Sequence, residues 1–434
     1  MTSTPTGSLI FTSGNPERPY DEVDLSSRAF WDKSDFERDK SYAVLRDSPS
    51  ITWHRPFEDQ LLPEPEDFGF WAMTRHEDVV AVTKNHQDFL SGPGTTMENL
   101  PQIFLDGAQS IIAIDPPRHA TLRRLISGVF TPKQMRRLNT QIQTNAKLAV
   151  ENLVAKAAAN GGHADFVAEC AALMPMNNIN DMMDVPQAER EEAAHHTMVA
   201  MSWNDPEIAG ATKAEMAGAL IRAVEYCHGL AIRLATERRK NPGPDLVSAL
   251  AAAEVDGQQL TDFEIGSFFM LLTIAGNDTT RQSTSHGLAA LTEFPEQRKW
   301  LLEDLPGRVP GAVEEILRWA SPIMTFRRTA SRDVEWRGRQ ITKGDKVVMF
   351  YSSANRDARR FDRPWELDLS RSPNPHLSFG GGGIHHCLGN QLARTQLQAI
   401  FTELLTRCPD IRSGTPVMTE SNFFNIVKRL PCTV

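Results

Sequence analysis

The 434-residue chain is predicted to be mainly α-helical with small β-sheets, and three observations carry that expectation. Apolar residues recur at three- and four-residue spacings through 141–160, 213–240, 263–293 and 388–407 with few internal breakers, the period of helices that bury one face. Between 334 and 351 the pattern shortens to β-like segments, 334–336 and 346–351, set apart by turns at Arg337-Gly338 and Lys343-Gly344-Asp345. No repeat of about 20 to 50 residues, low-complexity tract or polar linker divides the chain, so 1–434 is read as one domain.

Taken in order, the first elements are the least regular. The segment 1–16 has Leu9-Ile10-Phe11 as a short apolar run with no basic stretch before it, so neither a signal peptide nor a transmembrane anchor is expected. From 24 to 88 short apolar runs such as Trp71-Ala72-Met73 alternate with helical stretches, and Gly and Pro punctuate an irregular loop over 91–101. Beyond it the helices dominate.

Composition narrows the function. With 41% hydrophobic and 23% charged residues the chain can bury a large core, and a net charge of -9 speaks against a nucleic-acid partner. Cys170, Cys227, Cys387, Cys408 and Cys432 are odd in number and form no C-x-x-C pair, which argues against a disulfide framework and fits a reducing, cytoplasmic setting.

One cysteine stands apart. Phe379-Gly380-Gly381-Gly382-Gly383-Ile384-His385-His386-Cys387-Leu388-Gly389 delivers Cys387 to a helix expected to begin immediately after it. Unpaired amides and the positive end of a helix dipole favour the thiolate, the form that binds metals, and glycines let backbone approach a flat group. A buried structural cysteine and a phosphate-binding turn are the plainer alternatives, although the Gly-Lys-Ser/Thr ending of a phosphate loop is missing. Zinc on His376, His385, His386 and Cys387 would have a poor tetrahedral set.

The second segment is Ala275-Gly276-Asn277-Asp278-Thr279-Thr280, a small and polar patch inside the apolar stretch 263–293. Glycine costs about 1 kcal/mol in a helix interior, and Asp and Thr compete for backbone hydrogen bonds. A packing notch or a solvent-facing side would also account for the patch.

The cysteine loop resembles the haem-binding loop of the cytochrome P450 family, Phe-Gly-x-Gly-x-His-x-Cys-x-Gly, and the polar patch resembles that family's Ala/Gly-Gly-x-Asp/Glu-Thr-Thr motif. The resemblance implies the cytochrome P450 fold, with haem b (iron protoporphyrin IX) between the long helix and the cysteine loop. It makes Cys387 the axial thiolate and sets His385, Phe379 and Gly381 around the haem. Phe379 stands one residue farther from Cys387 than the pattern has it, which leaves open what shields the sulfur. Ala275 and Gly276 would line the oxygen side, while Asp278 and Thr279 would supply the protons that dioxygen cleavage consumes.

Other motifs follow the same order. Asp115-Pro116-Pro117-Arg118-His119-Ala120-Thr121-Leu122-Arg123 resembles the family's helix start that gives propionate contacts at His119 and Arg123, and Arg328 matches a third. Glu315-Ile316-Leu317-Arg318 matches the family's structural ion pair. Its usual third, basic partner is missing from Pro364-Trp365-Glu366-Leu367-Asp368, with Arg363 and Arg371 as candidates to replace it. Ala354-Asn355-Arg356-Asp357 is typical of bacterial soluble members.

The pocket segments implied by the resemblance, 91–104, 198–203, 268–272, 323–326 and 423–427, are mostly apolar, with Thr95, Met97, Met201, Phe268, Leu272, Ile323 and Phe424 as candidate substrate contacts. Segments 275–281 and 373–383 are similar to actinobacterial members that hydroxylate lipids, sterols and terpenoids. The expected function is a monooxygenase inserting one oxygen atom into an unactivated C–H bond of a fatty acid, methyl-branched lipid, sterol or terpenoid. A Gly-x-Gly-x-x-Gly fingerprint is absent, so electrons are expected from a ferredoxin and its reductase, steered by Arg118, Arg123, Arg124, Lys133, Arg136 and Arg137. A non-catalytic haem-thiolate or gas-sensing protein is the alternative.

Overall fold

The computed structural model describes residues 15–58, 60, 67–99, 110–127, 132–255 and 257–434, without the side chains of 132–137 and 255. The expectations placed on 1–14, on 100–104 and on the side chains of Lys133, Arg136 and Arg137 therefore lie outside the described residues.

The spine is a 32-residue helix, Asp262–Glu293. It starts where the Thr261 hydroxyl accepts the Glu264 amide while the Glu264 carboxylate accepts the Thr261 amide. It stops at Phe294, because Pro295 has no amide hydrogen to continue the ladder and instead opens the helix Pro295–Glu303. Helices Leu173–Met183, Lys213–Lys240, Leu305–Ala320 and Asn390–Arg407 contact the spine, and their apolar faces form the main core with Ile265, Phe268, Phe269 and Leu288.

A five-stranded sheet stands beside this bundle. Thr52–His54 pairs antiparallel with Phe70–Met73, which lies parallel to Lys346–Phe350. That strand pairs antiparallel with Thr325–Ala330, whose far edge takes Phe89–Leu90. Alternation explains the continuous apolar runs: Trp71, Met73, Val347 and Met349 enter one cluster, while Phe70, Ala72, Val348 and Phe350 enter another with Phe30, Trp31 and Tyr42 of the N-terminal helices. Both faces of these strands are buried.

The approach to the cysteine loop is fastened by charge. Glu315 and Arg318, both fully buried, pair through Arg318 Nη2 to Glu315 Oε1 at 2.7 Å and Nε to Oε2 at 2.8 Å. Arg371 is the third partner, 3.2 Å from Glu315 Oε2, and Asn374 and the Asp368 amide also donate to that carboxylate. Arg363 instead pairs with Glu366 at the surface. Every oxygen lone pair direction of Glu315 is thus answered, the condition under which a buried carboxylate is tolerated.

Three boundaries differ from expectation. The helix read as 141–160 begins at Pro132, and the last long helix begins at Asn390 rather than directly after Cys387. A short strand, Arg339–Ile341, pairs with Val334–Trp336, its mostly exposed, polar side chains having masked the alternation. Among the described residues no helix is long and apolar enough to cross a membrane.

Candidate active site

The cysteine loop folds back on itself. Gly380, Gly381, Gly382 and Gly383 all have positive φ, and the Cys387 amide closes the turn by donating to the Phe379 carbonyl at 3.0 Å. Gly383 is required twice over, since a Cβ there would lie 2.4 Å from the Thr83 carbonyl oxygen. The extra residue between Phe379 and Cys387 is absorbed in this left-handed run, so Phe379 still reaches the cavity wall with Cys387. Its ring lies 4.4 Å from the Arg394 guanidinium.

Burial pushes the Cys387 thiol up, and the Gly389 amide with the guanidinium groups of Arg123 and Arg394 pulls it back. The sulfur is therefore served by one backbone amide just before the helix. The glycine run shapes the turn instead. Gly381 faces the side chains of Leu377 and Val80, and Gly380 is the glycine that lines the cavity.

Cationic groups gather on one side. Arg123 and Arg328 line the cavity, their guanidinium groups donating to the carbonyls of His386 and Arg327 at 2.7 Å each. Among the described residues neither has a carboxylate partner within ion-pair distance. His385 also lines the cavity, with Nδ1 3.1 Å from the Ile111 carbonyl and Nε2 3.0 Å from Ser91 Oγ. Because a carbonyl can only accept, Nδ1 carries the hydrogen and Nε2 accepts from Ser91. Burial, then Arg328 and His119, depress its pKa to about 3. His119 lies behind it with the rings tilted and their centroids 4.4 Å apart, and sits off the wall itself, its Nε2 buried without a partner.

On the long helix, Ala275, Gly276, Thr279, Thr280 and Ser283 face the cavity. Gly276 is also a contact point, because a Cβ there would fall 2.6 Å from Ile179 Cδ1 on the helix Leu173–Met183 and force that side chain to move. The Thr279 hydroxyl donates to the Ala275 carbonyl at 2.7 Å. Asp278 faces away from the cavity, paired with Arg281 and accepting from Gln282 Nε2 at 3.0 Å, while its Oδ2 is buried without a partner. Burial raises its pKa against Arg281 and Gln282.

The cavity, about 1700 Å³ of empty space counted out to its mouth, is otherwise apolar. Phe268, Leu272, Ile323 and Phe424 line it as expected, the last two joined by an antiparallel bridge. Thr95, Met97 and Met201 do not. The Thr95 carbonyl accepts the Arg327 amide at the sheet edge, Met97 is buried in the cluster with Phe30 and Trp31, and Met201 lies behind Phe424 against Ile426. Leu271, Phe326 and Phe423 line the cavity too, within the expected segments 268–272, 323–326 and 423–427, whereas Ile112 and Ile179 were missed from the sequence. Phe326 lies two residues before Arg328 on one strand, the period that sets both on the same face.

The family model described as Cytochrome P450 matches residues 69–421. The chain belongs to the cytochrome P450 family. The methyl-branched lipid omega-hydroxylase of Mycobacterium tuberculosis is 40% identical to this P450 over 419 residues, 96% of each chain. The steroid C26-monooxygenase of Mycolicibacterium smegmatis is 36% identical over 368 residues, 83% of each. Among solved structures, a Mycobacterium marinum cytochrome P450 in complex with pseudoionone matches with a TM-score of 0.91 at 50% identity, over 96% of this chain and 99% of that one.

This P450 is accordingly a monooxygenase of the haem-thiolate type. Its residues fit the group. A flat dianion with a metal centre needs a thiolate, cations and room, and one cavity offers Cys387, Arg123 and Arg328, with the unpartnered His119 Nε2 buried beside them.

Proposed function

We propose that this P450 inserts one oxygen atom of dioxygen into an unactivated C–H bond of a lipid- or terpenoid-like molecule. The observation that carries the reading is that a single apolar cavity holds the Cys387 sulfur, the Thr279 residue and the cationic pair Arg123 and Arg328. The similarity to a methyl-branched lipid omega-hydroxylase over nearly the whole chain supports a lipid-like substrate.

Haem, when bound, supplies dioxygen reduction and the oxidant for the C–H bond. Cys387 is the thiolate that would hold it. Arg123 and Arg328 would hold its two carboxylates by charge-assisted hydrogen bonds, the unpartnered His119 Nε2 would add a further donor, and His385, its ring nitrogens engaged by Ile111 and Ser91, would line that side. On the long helix the raised pKa of Asp278 suits it to keep a proton in an oily setting. That proton reaches the Thr279 hydroxyl when the Asp278 side chain rotates from its outward position toward the cavity, and Thr279 in turn releases the Ala275 carbonyl to donate into it. Arg281 anchors the Asp278 carboxylate between transfers. The apolar walls exclude water and keep the substrate near Thr279.

Electrons come from a ferredoxin-type partner. Arg118 pairs with Glu264, and steering is assigned to the basic cluster of the sequence, Arg118, Arg123, Arg124, Lys133, Arg136 and Arg137. Five free cysteines fit a cytoplasmic setting. The test is the absorbance of the reduced protein with carbon monoxide, paired with turnover of a branched lipid under ¹⁸O-labelled dioxygen. A strongly red-shifted band that disappears in Cys387→Ala, together with one labelled oxygen in the product, is expected. A colourless protein, or a Cys387→Ala band identical to the parent's, sinks the reading.

A further inference from the structure

The wall formed by Ile179, the long helix and segments 322–326 and 423–424 contains no ionisable side chain. Among all described lining residues the guanidinium groups are those of Arg123 and Arg328, both on the side assigned above to the haem carboxylates.

Hydrogen-bond donors are equally scarce. Of the five Ser and Thr residues on the lining, four already donate to backbone carbonyls: Thr83 to Val79, Thr279 to Ala275, Ser283 to Thr279 and Ser378 to Leu317, all at 2.7 to 2.8 Å. What faces the substrate is aliphatic and aromatic, with Phe423 edge-on to both Phe326 at 5.0 Å and Phe424 at 4.6 Å. Such a wall recognises shape. A carboxylate or ammonium taken there loses water and gains no counter-charge. A hydroxyl, ketone or ester loses far less, and an oily pocket discriminates weakly against it.

We propose that the substrate of this site is uncharged, a branched or cyclic hydrocarbon skeleton bearing ester, ketone or hydroxyl groups in place of a carboxylate or an amine. This rests on the hydroxylase function proposed above. Free fatty acids are thereby excluded from the substrate class, and their esters, with neutral sterols and terpenoids, are retained.

The holoenzyme is titrated at neutral pH with three molecules sharing one branched skeleton of about ten carbons: the methyl ester, the free acid and the primary amine. Binding is read by haem absorbance and by calorimetry. The ester is expected to bind at least about tenfold more tightly than either ion. An acid or amine that binds as tightly as the ester overturns the inference and leaves the monooxygenase function standing. Failure of all three to bind overturns the inference together with the hydrophobic-substrate assignment.

Discussion

Thr279 is held by its own helix, its hydroxyl turned to the Ala275 carbonyl, and that single contact frames its role. Thr279→Ala keeps the fold, because it removes a methyl and a hydroxyl that face the cavity and a bond the helix does not need. Electron consumption should continue while product per electron pair falls at least about tenfold and hydrogen peroxide appears. Unchanged coupling in a peroxide assay would assign the proton to another group. Residues of this kind were legible in the sequence because their chemistry demands a type at a fixed offset: a thiol after a glycine turn at Cys387, a guanidinium one helical turn past His119 at Arg123. Met97, Thr95 and Met201 were not, because the side a loop or helix-end residue faces is set by backbone turns that residue type does not encode. Gly381 shows the same limit by one position, with Gly380 beside it reaching the cavity instead.

Elements are joined near the site by charge and by glycine. Glu314 on the helix Leu305–Ala320 accepts from Arg394 at 2.7 and 2.9 Å and from His376 at 3.1 Å, bracing the helix after the cysteine loop. Burial pushes its carboxyl up, but the bonds from His376 and Arg394 outweigh this and hold it at about 2, below the ordinary 4.5. A depressed carboxyl stabilises the fold above its unfolded pKa and loses that contribution as pH falls through the folded one. Glu314→Gln should therefore lower stability by about 1 kcal/mol at pH 7, screening of a part-exposed pair included, with the gap narrowing from about pH 4.5 downward. Urea unfolding of both proteins at several pH values checks it, and a gap constant with pH would refute it. Gly383→Ala should cost about 1 to 3 kcal/mol and reduce haem content, since the new Cβ meets the Thr83 carbonyl at a positive φ; full haem loading with parental stability would contradict this. The long helices were readable from period and caps, as with Thr261 and Glu264, whereas the start at Asn390 was not, because Leu388 and Gly389 continue the apolar pattern through a non-helical turn.

Across the whole molecule, segments remote in sequence are tied by buried charge. Lys346 on the central sheet donates to Asp67 at 2.6 Å and to the Met97 carbonyl at 3.1 Å, all out of water. Breaking this pair by Lys346→Met should cost about 3 to 5 kcal/mol, and adding Asp67→Leu should recover much of it, because the buried negative charge that lost its counter-charge goes too. A double-mutant cycle in denaturant measures the coupling, and additive losses would refute it. The overall architecture was legible because four motifs occur in order, and so were three segments of the substrate wall, 268–272, 323–326 and 423–427, but the place of Ile179 in that wall was not. Its parts, Ile179, the long helix, Phe326 and Phe423, meet only once the sheet, the bundle and the C-terminal segment have come together. That last segment is a hairpin, Val417–Met418 against Val427–Arg429, carrying Phe423 and Phe424 at its tip. It works as an exchangeable fingertip: grafting a different tip between the same two strands would retune which skeletons enter while the sulfur, the arginines and the proton route stay untouched.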